Sequence, residues 1–206
     1  MEMYIFVMEI IGSVAFAISG AIEAVRHKMD VFGVTVLGLV TAVGGGIIRD
    51  MVIGDLPPKM FRDPTCAMVA ILTSIAVFFL APRTHHSKWA EKVLYIADSI
   101  GLAVFTAVGV ESAYDLGYTG LTLMLFVGVI TGVGGGVLRD VFTGTIPYIF
   151  RKHIYATASL TGVLAIRICA KWVDQSAALA VGAGLIVMIR LIAILFHLNL
   201  PKSQEM

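Results

Sequence analysis

Gly44-Gly45-Gly46-Ile47-Ile48-Arg49-Asp50 returns ninety residues later as Gly134-Gly135-Gly136-Val137-Leu138-Arg139-Asp140. Each copy lies late in an apolar stretch of the length that crosses a bilayer, about 20 residues. Three consecutive glycines loosen or break a helix. An Arg-Asp pair at membrane depth is costly unless it has partners or a task. Duplicated, glycine-interrupted, charged spans point to a pathway through a membrane.

The duplication extends outward from the glycines. At an offset of ninety, Gly38/Gly128, Thr41/Thr131, Val43/Val133, Gly54/Gly144 and Pro57/Pro147 are also identical. At an offset of eighty-nine, Gly12/Gly101, Phe16/Phe105, Gly20/Gly109 and the acidic pair Glu9/Asp98 align. Apolar stretches at about 4–24, 31–53, 65–81, 93–111, 118–142, 154–170 and 177–197 predict seven transmembrane helices. Repeat 1 covers about 4–81 and repeat 2 about 93–170, with a seventh helix outside the symmetry. An odd number of spans per repeat sends the second copy into the bilayer upside down, which makes the repeats inverted. The expected fold is an all-α membrane protein, one domain over 1–206.

Composition agrees. Hydrophobic residues make up 58 % of the chain and charged residues only 14 %, where a soluble domain carries about 25 % charged. The net charge of +1 gives no footprint for nucleic acid. The first apolar run lacks a basic n-region and carries Glu9, so it reads as an uncleaved span. With the N-terminus outside, the cytoplasmic loops hold Arg26, Lys28, Arg83, Lys88, Lys92, Arg151, Lys152 and Lys202, against Lys59, Arg62 and Lys171 on the other side. That bias places the C-terminus in the cytoplasm.

The glycine triplets admit two readings. Close helix packing uses one or two of three glycines; a helix break, or a weak point where the helix can bend, uses all of them. A break at Gly44, Gly45 and Gly46 and at Gly134, Gly135 and Gly136 exposes carbonyls to a cation and N–H groups to an anion. Thr41 and Thr131, one turn earlier, either line a pore or bond back to their own helix. Four charges facing lipid would cost roughly 10 kcal/mol, so Arg49, Asp50, Arg139 and Asp140 must face protein or water. Neighbours at i,i+1 point about 100° apart on a helix, so Arg49 and Asp50 are not expected to pair. Depth suggests Glu9–Arg49 and Asp98–Arg139 contacts instead, one at each mouth of a shared pathway. Arg190 lies deep in the last span without an evident partner. Gly182 and Gly184 there suit tight packing. The turns around Pro57 and Pro147 read as simple terminations, with Phe61-Arg62 and Phe150-Arg151 as interfacial anchors. Cys66 and Cys169 read as small buried residues, and His85 and His86 as loop residues without a ligand cluster. No nucleophile–base constellation or phosphate-cradling loop is present, so an enzyme is not expected and no cofactor is implied.

At the doubled Gly-Gly-Gly-x-x-Arg-Asp the chain resembles the prokaryotic trimeric intracellular cation (TRIC) channels, whose bacterial members are also described as paired glycine-transporter, UPF0126-like membrane proteins. The resemblance covers nearly the whole chain. It implies a homotrimer with an hourglass pore in each protomer, lined by the second and fifth spans and kinked at Gly44–Gly46 and Gly134–Gly136. Arg49, Asp50, Arg139 and Asp140 would be its charged neighbours. The expected function is a monovalent-cation channel, permeable to K+ and Na+, in a bacterial inner membrane. The cations would be held transiently at carbonyls near Gly44 and Gly134, with no dedicated metal site. The alternative is a secondary transporter of glycine or a similar small zwitterion, since a broken helix offers an end to each charge of that substrate.

Overall fold

The computed structural model describes residues 2–81, 88–151, 154–196 and 198; His85 and His86 lie outside them. Among the described residues the chain is all helical: α1 (Glu2–Arg26), α2 (Val31–Ile53), α3 (Lys59–Arg62), α4 (Thr65–Leu80), α5 (Lys88–Asp115), α6 (Leu121–Phe142), α7 (Tyr148–Arg151), α8 (Ala156–Cys169) and α9 (Gln175–Leu195). Five of them, α1, α2, α5, α6 and α9, are long and apolar enough to cross a membrane. The third helix of each repeat keeps close to its apolar stretch, 65–81 or 154–170, and is the shortest of its three. At 16 and 14 residues, α4 and α8 measure about 24 and 21 Å, short of a hydrocarbon core of about 30 Å. Each is preceded by a four-residue helix, α3 or α7, at the positions read as interfacial anchors. Phe32, Leu72, Phe79, Phe126 and Met188 are exposed, as suits surfaces that face lipid or a neighbouring protomer.

Each half is a three-helix unit: α1, α2 and α4 pack together, as do α5, α6 and α8. The halves join through α1 on α5 and α2 on α6, and α9 lies against α5 and α8. α5 is the innermost element. Residues 101–111 are buried on every side, as a helix apolar all round must be. α2 starts where the Asp30 carboxylate accepts the Gly33 N–H at 2.8 Å, and it stops at Gly54, whose φ of +77° a side chain would resist. Gly144 closes α6 with φ +69°.

The expected break at the glycines is absent. α2 and α6 run as uninterrupted helices through both triplets, so their own N–H groups use the carbonyls near Gly44 and Gly134. What the glycines supply is proximity. A methyl on Gly45 would drive into the Thr131 carbonyl oxygen, and one on Gly135 into the Thr41 carbonyl oxygen. A methyl on Gly134 would stand 3.0 Å from the Cα of Gly45. One contact moves up one helix as the other moves down its partner, so α2 and α6 run in opposite senses at the crossing. Gly12 against the Phe105 ring and Gly101 against the Phe16 ring repeat the exchange between α1 and α5, and the two rings stack 5.3 Å apart. Thr41 and Thr131 do not face an opening. Their hydroxyls donate to the Leu37 and Val127 carbonyls at 2.6 Å, fully buried, against Gly20 and Gly109. On the other side of the bundle, Gly182 seats Ile166 of α8, while Gly184 faces open space.

The three glycines of one triplet are therefore not equivalent. Beside Gly46 a methyl would meet only the Arg49 guanidinium, at 3.9 Å. Gly45→Ala should lower the thermal midpoint in detergent, because overpacking against backbone costs about 1–3 kcal/mol. Gly46→Ala should raise it or leave it unchanged, since alanine gains up to about 1 kcal/mol over glycine in a helix. Equal shifts for the two would contradict the crossing described.

Candidate functional site

Beyond the crossing each helix ends in its Arg-Asp pair, and contrary to expectation the neighbours do bond. Arg49 Nε donates to Asp50 Oδ1 at 2.8 Å, and Arg139 Nε to Asp140 Oδ1 at 2.8 Å. The 100° rule describes where Cβ atoms point; an arginine arm is long enough to fold back across it, and a low-dielectric site rewards the nearest carboxylate. The second oxygen of each aspartate has a different task. Asp50 Oδ2 accepts the Lys59 N–H and Asp140 Oδ2 the Tyr148 N–H, both at 2.8 Å. Each aspartate thus ties the end of a long helix to the first turn of the short helix that follows, through a turn that opens on Gly54 or Gly144.

Because α2 and α6 run oppositely, the two clusters lie on opposite sides of the crossing. The Asp98 cluster is closed. Arg139 Nη1 donates to Asp98 Oδ1 at 2.7 Å, as depth suggested, and also to the Ser19 hydroxyl. Tyr155 donates its hydroxyl to the same carboxylate at 3.2 Å. Arg190 finds its partner here: Nη2 reaches Asp98 Oδ2 at 3.4 Å, and its guanidinium lies 4.6 Å over the Tyr155 ring. Arg139 lies 5.1 Å from the centre of the Tyr148 ring. Two arginines and two aspartates balance in charge, and all four are buried.

The Glu9 cluster is open. The expected Glu9–Arg49 pair is not formed. Both Glu9 oxygens instead accept from Lys59 Nζ, at 2.8 and 2.7 Å. Arg49 is already held by Asp50, and Lys59 arrives on α3, which the sequence reading had treated as a plain turn. A small cavity of about 50 Å³ opens here, lined by Glu9, Ser13, Gly46, Arg49, Asp50 and Lys59, with Asp63 and Cys66 also on its wall. Asp63 is negatively charged: the Thr65 hydroxyl and N–H bond to it and hold its carboxyl below the usual range.

The difference between the clusters is one of occupancy. Carried on at an offset of eighty-nine, Lys59 stands opposite Tyr148 and Cys66 opposite Tyr155. A methyl on Gly136 would stand 2.8 Å from the Tyr155 hydroxyl; the space beside Gly46 has no such filling. Cys66 is half-buried rather than buried, because it lines the space that its counterpart fills. Neither tyrosine stands out in the sequence alone. The repeat register, followed past the prolines, is the signal that marks both.

A model of the glycine transporter family matches residues 6–82 and again 95–171. The UPF0126 inner membrane protein YadS of Escherichia coli (strain K12) is 43 % identical over 202 residues, which cover 97 % of this chain and 96 % of that protein. The solved TRIC trimeric intracellular cation channel orthologue from Rhodobacter sphaeroides superposes with a TM-score of 0.87 at 32 % identity, over 94 % of this chain and 98 % of that one. A prokaryotic TRIC channel solved in 0.5 M KCl superposes with a TM-score of 0.90 at 31 % identity, over 97 % and 100 %. With two family matches spanning most of its length and a relative this similar end to end, the chain belongs to the glycine transporter family of UPF0126 membrane proteins.

Proposed function

We propose that the protein is a monovalent-cation channel, permeable to potassium and sodium, that conducts through each protomer of a homotrimer. The observation that carries this reading is full-length likeness, above 30 % identity, to solved TRIC cation channels. The site supports it: two antiparallel helices with a charged cluster beyond each end of their crossing make an hourglass, narrow at the glycines and polar at both mouths. We take the two halves as inverted repeats and α4 and α8, with their short leading helices, as the remaining spans of a seven-helix protomer. The reciprocal glycine contacts support that topology. The setting we infer is a bacterial inner membrane, as for the relative from Escherichia coli, with the N-terminus outside by the distribution of lysine and arginine.

In this reading the conformation described is closed, blocked at the Asp98 mouth and open at the Glu9 mouth. The unbroken helices do not present free carbonyls, so a cation in the mouths would meet carboxylates and hydroxyls. Gly44–Gly46 and Gly134–Gly136 are then where α2 and α6 bend on opening, since glycine is the weakest point of a helix. The membrane potential, about 2.3 kcal/mol per charge per 100 mV, is the driving force. The zwitterion-transporter reading has the family description on its side, and one experiment separates the two.

Purified protein in a planar bilayer under a potassium gradient should show unitary currents. Silence there, with saturable glycine uptake into liposomes, would make it a transporter. Leucine at Gly45 or Gly135 would separate the helices and test little. Gly46→Phe points its ring into the cavity instead, and should abolish current while the trimer and its thermal midpoint persist. Full current in that variant would refute the pathway. Tyr155→Cys installs at the Asp98 mouth the residue found at the other mouth. It should raise open probability severalfold, at a stability cost of about 3 kcal/mol for the emptied core volume.

A further inference from the structure

Lys59 has a duty that its pairing with Glu9 does not exhaust. The Glu9 side chain is only 8 % exposed, yet the one cation that holds it among the described residues reaches in from solvent on a side chain 45 % exposed. The Lys59 backbone is pinned by Asp50, so its ammonium can swing on a four-carbon stem without disturbing α3. An ammonium is a compact, strongly hydrated point charge with no fixed fork geometry, and so it is exchangeable for another small cation. The cavity wall carries Glu9, Asp50 and Asp63 against Arg49 and Lys59. Three carboxylates and two cations leave one net negative charge with the ammonium in place and two when it leaves. Low-dielectric walls focus such a charge onto arriving ions.

We infer that Lys59 is a tethered, displaceable counter-cation in the Glu9 mouth that sets which cations occupy it. Potassium takes the carboxylate when the ammonium swings aside, and a divalent ion is disfavoured because the ammonium, still tethered nearby, repels it twice as strongly as it repels a monovalent ion. The inference rests on the channel reading. Its contrast is inside the same molecule. At the equivalent mouth Tyr148 replaces Lys59, and Asp98 is held by Arg139 and Arg190, both buried. Those guanidinium groups have no route to solvent that leaves the packing intact. Cation exchange is therefore a property of one mouth only.

The test uses the full-length protein in planar bilayers, with barium, a divalent ion of potassium's size, added to each side in turn. Lys59→Met should conduct more at low potassium, and barium should block it from one side at a concentration lower by about tenfold or more, the effect of one unscreened unit charge at this range. Lys59→Arg keeps the charge but grips Glu9 with a rigid bidentate fork, so it should stay as insensitive to barium as the unaltered channel while conducting less at low potassium. Glu9→Gln combined with Lys59→Met should lose the barium sensitivity again. Should Lys59→Met fail to assemble, Lys59→Gln, whose amide still bonds Glu9, carries the same expectation. Unchanged conductance and barium sensitivity in an intact Lys59→Met trimer would overturn the role of Lys59 and leave the channel standing. Absence of potassium current in the unaltered protein would overturn the channel reading, and this inference with it.

Discussion

Everything in this molecule is arranged around the approach of two helices so close that a single methyl group would part them. Gly45 lies on the Thr131 carbonyl and Gly135 on the Thr41 carbonyl, and no other residue fits either place. In lipid there is no hydrophobic force to drive helices together, so intimate packing must do it. The same closeness has a second consequence. A crossing that tight leaves no room for long side chains at the waist, so the charged residues of α2 and α6 lie beyond it, one pair on each side. The Arg-Asp pairs sit one turn past the last glycine for that reason.

At each end the aspartate solves a problem that the fold creates. A helix that stops short must turn its chain, and the first N–H groups of the next helix need acceptors. Asp50 and Asp140 provide one apiece while holding an arginine with the other oxygen. Each arginine therefore has a fixed place before any pore chemistry is considered. The arginine and aspartate of the repeated motif are first a structural joint, and whatever they do for ions is done from that joint.

Much of this was legible in the residues. The repeat, its register, the five long helices and the Asp98–Arg139 contact follow from spacing and depth alone. The helix break was misjudged because composition registers three glycines without saying what stands opposite them; only the neighbouring backbone distinguishes loosening from intimacy. The Glu9–Arg49 pairing failed on a competitor. Lys59 was assigned to a turn, and a short helix lifted it into reach. Arg190 had no partner by symmetry, since α9 stands outside the repeat, and symmetry was the tool that found the others. The alternation of open and filled mouths was present in Lys59/Tyr148 and Cys66/Tyr155, but a pair of unlike residues at a repeat position says nothing until one knows that they face the same space.

The two mouths are built from the same parts and differ in what it takes to disturb them. At the Asp98 end, two arginines, two aspartates and Tyr155 interlock away from water, with the half-buried Tyr148 ring beside Arg139. Removing one member of such a set strands the others, at about 3–5 kcal/mol. At the Glu9 end the comparable contact joins a buried carboxylate to a half-exposed lysine, whose ammonium can leave for water without unpacking any neighbour. In the channel we propose, the two ends would therefore serve different purposes. Thermal motion alone exchanges the lysine, so the Glu9 end governs which ions wait there. The Asp98 end moves only if several buried bonds are replaced together, and the extra helix that brings Arg190 to this half and not the other adds to that requirement. In that proposal a duplicated scaffold becomes asymmetric without losing its shared joint: one copy would keep its mouth open to ions, and the other would keep its mouth shut.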